Sequence, residues 1–298
     1  MFKHILVPLD GSPFAESAIP YACQLAQQFE SELILVKVVE PIHLDLTGDA
    51  YDAALIEELR ESAVRQASDY LDGKSGELRG QGYQVRRKVV HAHDIASTLL
   101  DVANNEEIDV IVISTHGRSG FSRWALGSVT ERVLRHAPCP VLTIREDTSF
   151  EHILIALDGS QLAEAVIEPA IALAKQTGAK VTMLRVDDKP IDVDYETINR
   201  INHIEPGMAD LLAHAEYNRA ETYVEAVAHR YQDEAVEISW LGVTDHAANG
   251  ILRIAQDRGC DVIALSTHGR TGLRRWVYGS VTEKVLRAAS CSLLIVRP

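Results

Sequence analysis

Three short segments hold the residue types that could bind an anion. Ser114-Thr-His-Gly117-Arg-Ser-Gly120 follows an apolar run and carries two glycines three residues apart. Glycine permits positive φ and close backbone approach, so successive N–H groups there can cradle an anion. Gly127-Ser-Val-Thr-Glu131 opens a helical pattern. A helix start presents N–H groups and about half a positive charge, which suits a phosphate. Ser128 and Glu131 fit an S-x-x-E capping box, in which Glu131 folds back onto the Ser128 N–H and turns away from a ligand. The third segment is Leu9-Asp10-Gly11-Ser12-Pro13. Asp10 can accept from an adenine amino group or a ribose. The same residues also read as a capped turn, with Ser12 as N-cap and Pro13 at the first helical position.

Each segment occurs twice. His4-Ile-Leu-Val-Pro-Leu-Asp10-Gly-Ser12 returns as His152-Ile-Leu-Ile-Ala-Leu-Asp158-Gly-Ser160, shifted by 148. Ser114-Thr-His-Gly-Arg-Ser-Gly120 returns as Ser266-Thr-His-Gly-Arg-Thr-Gly272, and Gly127–Arg135 as Gly279–Arg287, both shifted by 152. Nine residues separate Gly117 from Gly127 and also Gly269 from Gly279. Capping alone does not require that gap to repeat. A period this long is a duplicated domain, not a solenoid. The expected domains are 1–146 and 151–298 of the 298 residues.

The elements that must position these segments alternate between apolar runs and helical patterns. In the first copy, strands are expected at 3–9, 32–39, 84–90, 109–114 and 140–145. Helices are expected at 13–29, about 51–72, 94–105 and 127–136. In the second copy, strands fall at 152–157, 180–186, 235–241, 261–266 and 292–297, and helices at 161–177, about 208–231, 246–258 and 279–289. Continuous runs such as Val110-Ile-Val-Ile113 suit strands buried on both faces. Repeated βα units imply parallel strands with right-handed crossovers. The expected fold is α/β, with two doubly wound, mainly parallel five-stranded sheets. Ligands of such sheets bind beyond the C-terminal strand ends, near the switch in strand order.

Composition and missing motifs narrow the function. The 29 Lys and Arg against 43 Asp and Glu leave a net charge of −14, which repels a nucleic-acid backbone. No apolar run reaches the length of a membrane span. Met1-Phe2-Lys3-His4-Ile5 lacks signal-peptide regions, so the chain reads as cytoplasmic. Cys23, Cys139, Cys260 and Cys291 form no CxxC pair and read as small buried hydrophobes. Walker A, GxGxxG and GxSxG patterns are absent. His116 and His268 are candidate acid–base groups, although a histidine there more often orders a loop. His91, His93 and Asp94 resemble a metal site, but the second copy has Val243 and Asp245 there, which favours a solvated loop. The carboxylates Asp187, Asp188, Asp192, Asp194 and Glu196 match no EF-hand spacing and read as a loop.

On these residues the chain resembles the universal stress protein family in its tandem form. The family's G-x2-G-x9-G-[ST] pattern reads Ser114-x2-Gly117-x9-Gly127-Ser128 and Ser266-x2-Gly269-x9-Gly279-Ser280, with serine replacing the first glycine in both copies. The resemblance implies sheets of Rossmann-like, adenine-nucleotide-binding type, and ATP, with Mg2+, one per domain. Asp10 and the Val38 backbone would face adenine and ribose. Gly117, Gly127, Ser128, Val129 and Thr130 would hold the phosphates, Ile113 and Ser114 would line the strand end, and Arg118 would add positive charge. The second set is Asp158, Val186, Leu265, Ser266, Gly269, Arg270, Gly279, Ser280, Val281 and Thr282. The resemblance also implies stress-linked sensing or adaptation, domain pairing through strands 140–145 and 292–297, a homodimer and an unspecified protein partner. Slow ATP hydrolysis or phosphotransfer, and a nucleotide-free interaction module, are the alternatives.

Overall fold

The computed structural model describes residues 1–41, 53–115, 127–145, 148–187, 203, 208–232, 234–267 and 279–298. The chain divides into two compact units, Met1–Glu146 and Asp147–Pro298.

In the first unit the strands are β1 (His4–Pro8), β2 (Glu32–Val39), β3 (Gln84–His91), β4 (Val110–Ser114) and β5 (Val141–Ile144). They lie in the order β3-β2-β1-β4-β5, all parallel. The helices are α1 (Pro13–Glu16), α2 (Ile19–Phe29), α3 (Ala53–Gly80), α4 (Ile95–Asn105) and α5 (Ser128–His136). The second unit repeats the plan. Its strands are β6 (His152–Leu157), β7 (Lys180–Asp187), β8 (Ile238–Thr244), β9 (Val262–Ser266) and β10 (Ser292–Val296). Their order is β10-β9-β6-β7-β8, again parallel. Its helices are α6 (Gln161–Glu164), α7 (Ile167–Thr177), α8 (Met208–His229), α9 (Ala247–Asp257) and α10 (Ser280–Ala288). The molecule is therefore a pair of doubly wound α/β units related by duplication. Central strands such as β4, β6 and β9 are buried along their whole length.

Four elements differ from the sequence reading. The helices expected at 13–29 and 161–177 are each broken, into α1 and α2 and into α6 and α7. Pro20 and Pro169 have no N–H for the carbonyls of Glu16 and Ala165, so neither helix runs through. Helix α3 passes 72 and continues to Gly80. Ala67, Leu71, Ser75 and Leu78 are all buried on one face, while Gly73 and Gly76 point outward; packing outweighs the low helix propensity of glycine. Strand β8 starts at Ile238 rather than 235, because its register on β7 begins with Val181 opposite Ile238.

Strand order places the switch point between β1 and β4. The chain leaves β1 toward β2 and β3, then returns to set β4 on the other side of β1. In open α/β sheets such a switch in strand order opens a crevice beyond the C-terminal strand ends.

Candidate functional site

A cavity of about 670 Å³ occupies that crevice in the first unit, within the usual size range of small-molecule sites. Asp10, Val38, Ile113, Ser114, Gly127, Ser128, Val129 and Thr130 all line it. In sequence these residues are spread over 120 positions; β1, β2, β4 and α5 bring them together. Gly117, Arg118 and His116, with Gly269, Arg270 and His268, lie outside the described residues, as does the acidic loop from Asp188 to Glu196.

The turn after β1 is built from its own side chains. One Asp10 carboxylate oxygen accepts from the Ser12 N–H at 2.8 Å, and the Ser12 hydroxyl accepts from the Ala15 N–H at 3.2 Å. Gly11 between them holds φ at +87°, a conformation that a side chain would strain. The second unit repeats this: Asp158 accepts from the Ser160 N–H at 2.9 Å and hydroxyl at 2.7 Å, and Ser160 caps Ala163 at 3.1 Å. Ser12 and Ser160 are N-caps, as their sequence context implies.

The helix starts after β4 and β9 differ from the capping-box expectation. The N-caps are Gly127 and Gly279, and neither helix start has a side-chain cap. Ser128 is already the first helical residue. Glu131 does not fold back: its carboxylate accepts from the Arg135 guanidinium at 2.5 Å. The Arg135 cation one turn along draws the carboxylate toward the helix body. Glu131 N donates to Gly127 O at 2.8 Å, so the N–H groups of Ser128, Val129 and Thr130 have no partner within the helix. The same geometry recurs at Glu283 N and Gly279 O, at 3.1 Å. Gly127 and Gly279 are each anchored by their own N–H to the carbonyls of Thr115 and Thr267, both at 3.1 Å.

The two threonines read as phosphate ligands do something more specific. The Thr130 hydroxyl donates to the Ser114 carbonyl at 3.2 Å, and that of Thr282 to the Ser266 carbonyl at 3.0 Å. Each is buried and stitches the helix start to the end of β4 or β9. What Thr130 contributes toward the cavity is its backbone N–H. In the second unit Asp158, Val186, Leu265, Ser266, Gly279, Ser280, Val281 and Thr282 occupy the corresponding ends of β6, β7, β9 and the start of α10.

Several lining residues escaped the sequence reading: Lys37, Glu40, Gln66 and Tyr70. Lys37 Nζ donates to the Asp10 carbonyl at 2.6 Å and sits 5.1 Å from the centre of the Tyr70 ring. The Tyr70 hydroxyl donates to Glu16 Oε1 at 2.8 Å, and Lys74 Nζ reaches Glu16 Oε2 at 2.7 Å. Burial opposes these bonds, yet they hold the Glu16 carboxyl below its ordinary pKa. Burial, with Glu16 second, pushes the Tyr70 phenol up. A signal for these residues did exist. A lysine inside the run Leu33–Val39 is anomalous for a buried strand, and Arg185 repeats a cation 148 residues later.

The metal-like cluster resolves into a cap. Asp94 is the N-cap of α4, accepting from the Ser97 N–H at 3.1 Å, and it accepts from Arg132 Nη1 at 2.9 Å and Nη2 at 2.8 Å. Among the described residues no group of three or more His, Cys, Asp and Glu could hold a metal ion. Cys23 and Cys260 are buried, but Cys139 and Cys291 are only partly so, which corrects the expectation for those two. Burial pushes the Cys23 thiol up to about 11 and those of Cys139 and Cys260 up to about 12, so none is a ready nucleophile.

Fold and cavity define a duplicated, doubly wound α/β protein with a strand-end crevice beside a helix N-terminus. The family model described as "Universal stress protein family" matches residues 1–145 and 149–297. The chain belongs to the universal stress protein family. It is 25% identical over 307 aligned positions to a universal stress protein of Mycolicibacterium smegmatis, spanning 99% of this chain and 97% of that one. It is likewise 25% identical to universal stress protein Slr1230 of Synechocystis, spanning 99% and 100%. A solved universal stress protein of Archaeoglobus fulgidus superposes with TM-score 0.70 at 20% identity, covering 100% of this chain and 99% of that one. A putative universal stress protein of Pseudomonas aeruginosa also gives 0.70, at 21% identity, covering 100% and 94%. At such identities these structures speak to the fold. No described helix is long and apolar enough to cross a membrane.

Proposed function

We propose that the protein binds an adenine nucleotide, ATP with Mg2+, at the strand-end crevice of each unit. It would use occupancy as a signal in the cytoplasm, passed to a protein partner, rather than as fuel for fast turnover. The observation that carries this reading is the α5 N-terminus. Gly127 replaces a side-chain cap, so three N–H groups face a cavity of about 670 Å³ without an intrahelical partner. The donor set fits a nucleotide. Carboxylate and strand-backbone groups at Asp10 and Val38 offer polar contacts for base and ribose. The helix start, the Ser128 hydroxyl and the glycine loop through Gly117 suit phosphates. Lys37 adds a cation. Asp10 and Glu40 are the carboxylates among the described lining residues, so Mg2+ would be carried mainly by the phosphates.

Calorimetric titration of the full chain with Mg-ATP tests this. Saturable binding is expected, together with adenine nucleotide released by acid from the purified protein. Replacing Gly117 and Gly269 with leucine should abolish binding while the chain stays folded by circular dichroism. A wild-type protein that binds no nucleotide would sink the proposal. Slow phosphate release that vanishes in the His116→Ala, His268→Ala double variant would move the reading toward an enzyme.

A further inference from the structure

The two units carry opposite charges at the strand starts, the end of each sheet away from the crevice. In the first unit Glu32 opens β2, Arg86 lies on β3, and Glu106 is the C-cap of α4. One guanidinium joins both carboxylates: Arg86 Nε donates to Glu32 at 2.8 Å and Nη1 to Glu106 at 2.8 Å. Lys88 Nζ reaches the other Glu106 oxygen at 2.5 Å. Two carboxylates thus meet two cations.

The second unit reverses this. Lys180 opens β7 as Glu32 opens β2, and Arg258 is the C-cap of α9 as Glu106 is of α4. Ser239 and Leu241 pair with Thr182 and Leu184 on β7, as Arg86 and Lys88 pair with Ile34 and Val36 on β2. Where the first unit has two anions and two cations, the second has two cations and two neutral residues. Among the described residues neither Lys180 nor Arg258 has a carboxylate partner. The Asp261 carboxylate is taken up at the entry to β6, accepting from the Ser149 hydroxyl at 2.7 Å and the Glu151 N–H at 2.8 Å. Glu237, just before β8, is exposed and forms an ion pair with neither cation.

The cations are nevertheless held in place. Arg258 Nη1 lies 3.4 Å from both the Thr182 and the Ser239 hydroxyl oxygens, which are 2.9 Å apart. Thr182 is fully buried and lies 2.9 Å from His152 Nε2. Lys180 pairs in register with His152 and shares a strand face with Thr182. Burial is the main cause of the low His152 pKa, and Lys180 and Arg258 both add to it, so both charges reach this ring. Like charges gathered on an exposed surface are relieved by an anion between them. A guanidinium, an ammonium and a hydroxyl are the donors that an oxyanion takes. A phosphate group carries about −1.5 to −2 at pH 7 and so matches two cations, whereas a carboxylate answers only one.

We infer that the second unit holds a site for a phosphate-class dianion at the starts of β7 and β8, with Lys180, Arg258 and the Ser239 hydroxyl as its ligands. The first unit fills the corresponding place with its own side chains. This site is separate from the crevice and does not rest on the nucleotide reading.

The test follows the His152 ring proton by NMR in the full chain, its signal identified by its loss in His152→Gln. Inorganic phosphate or glycerol phosphate, added at constant pH and ionic strength, should shift it saturably; acetate should not. Saturation at lower concentration with the ester assigns a phosphorylated molecule as the ligand, and the reverse assigns free phosphate. Lys180→Gln, an exposed change, should weaken binding about tenfold. Ser239→Glu sets a carboxylate beside the two cations. It should abolish the phosphate response and raise the melting temperature measured without phosphate. No shift in the wild type, a shift that acetate reproduces, or a phosphate response unchanged in both variants would overturn the inference. The response should persist in the Gly117→Leu, Gly269→Leu variant, so failure of nucleotide binding and failure of this site are read separately.

Discussion

At the scale of single residues, hydrogen-bond partners decide what each group can do. His152 is an instance. Its Nδ1 lies 3.1 Å from the Arg258 carbonyl, which can only accept, so Nδ1 carries the proton. Its Nε2 lies 2.9 Å from the Thr182 hydroxyl and accepts from it. Burial, above all, holds this imidazole below its ordinary pKa of 6.5. A folded-state pKa below the unfolded one means that the unfolded chain takes up the proton first. Stability from neutral His152 is therefore full above pH 6.5 and falls as pH drops below it toward the folded value. Urea midpoints between pH 7.5 and 5 should decline in the wild type and decline less in His152→Gln; equal slopes would refute the role. Ser75 supplies a second test. It is fully buried in α3, and its hydroxyl has no hydrogen-bond partner. Ser75→Ala should stabilise the protein by about 1 kcal/mol in denaturant titration. The residue types of the crevice were legible in sequence: Asp10, Ser114, Gly127 and Ser128 all line it. The job of each was less so. Ser128-x-x-Glu131 has the spelling of a capping box, but Arg135 competes for Glu131 and wins.

At the scale of elements, the duplication is its own control. Helices α2 and α7 both end on a left-handed residue, Glu30 at φ +53° and Gly178 at φ +73°. A residue with a Cβ pays about 1–2 kcal/mol for that conformation, and glycine does not. Glu30→Gly should therefore raise stability by about 1 kcal/mol, and Gly178→Ala should lower it by a similar amount, read from thermal melts of the full chain. A Cβ at Gly178 meets nothing within 4 Å, so backbone strain alone is measured. Hydrophobic runs marked the strands well, because β4, β6 and β9 are buried throughout and read as unbroken apolar stretches. The ends of elements were less legible. The C-terminal end of α3 depends on Leu71, Ser75 and Leu78 finding a sheet to pack on, and the start of β8 depends on its register against β7.

At the scale of the whole molecule, a ligand that binds only the folded chain must stabilise it. Saturating Mg-ATP is expected to raise the melting temperature, since ligand at a hundred times its dissociation constant contributes about 2.7 kcal/mol. The shift should be lost in the Gly117→Leu, Gly269→Leu double variant; a shift that persists there would move the site elsewhere. What the sequence by itself determined is the duplication, the alternating βα plan and the family, because repeats, apolar runs and glycine spacing are local or self-referential patterns. Tertiary structure alone decided how the crevice is furnished. Lys37, Tyr70 and Glu16 meet although Tyr70 and Glu16 are 54 residues apart, and a Cβ at Gly242 would lie 2.5 Å from the Glu221 nitrogen of α8. Such relations depend on strand register and on how closely helices pack. Those distances are set by many side chains acting together, and no single stretch of sequence encodes them.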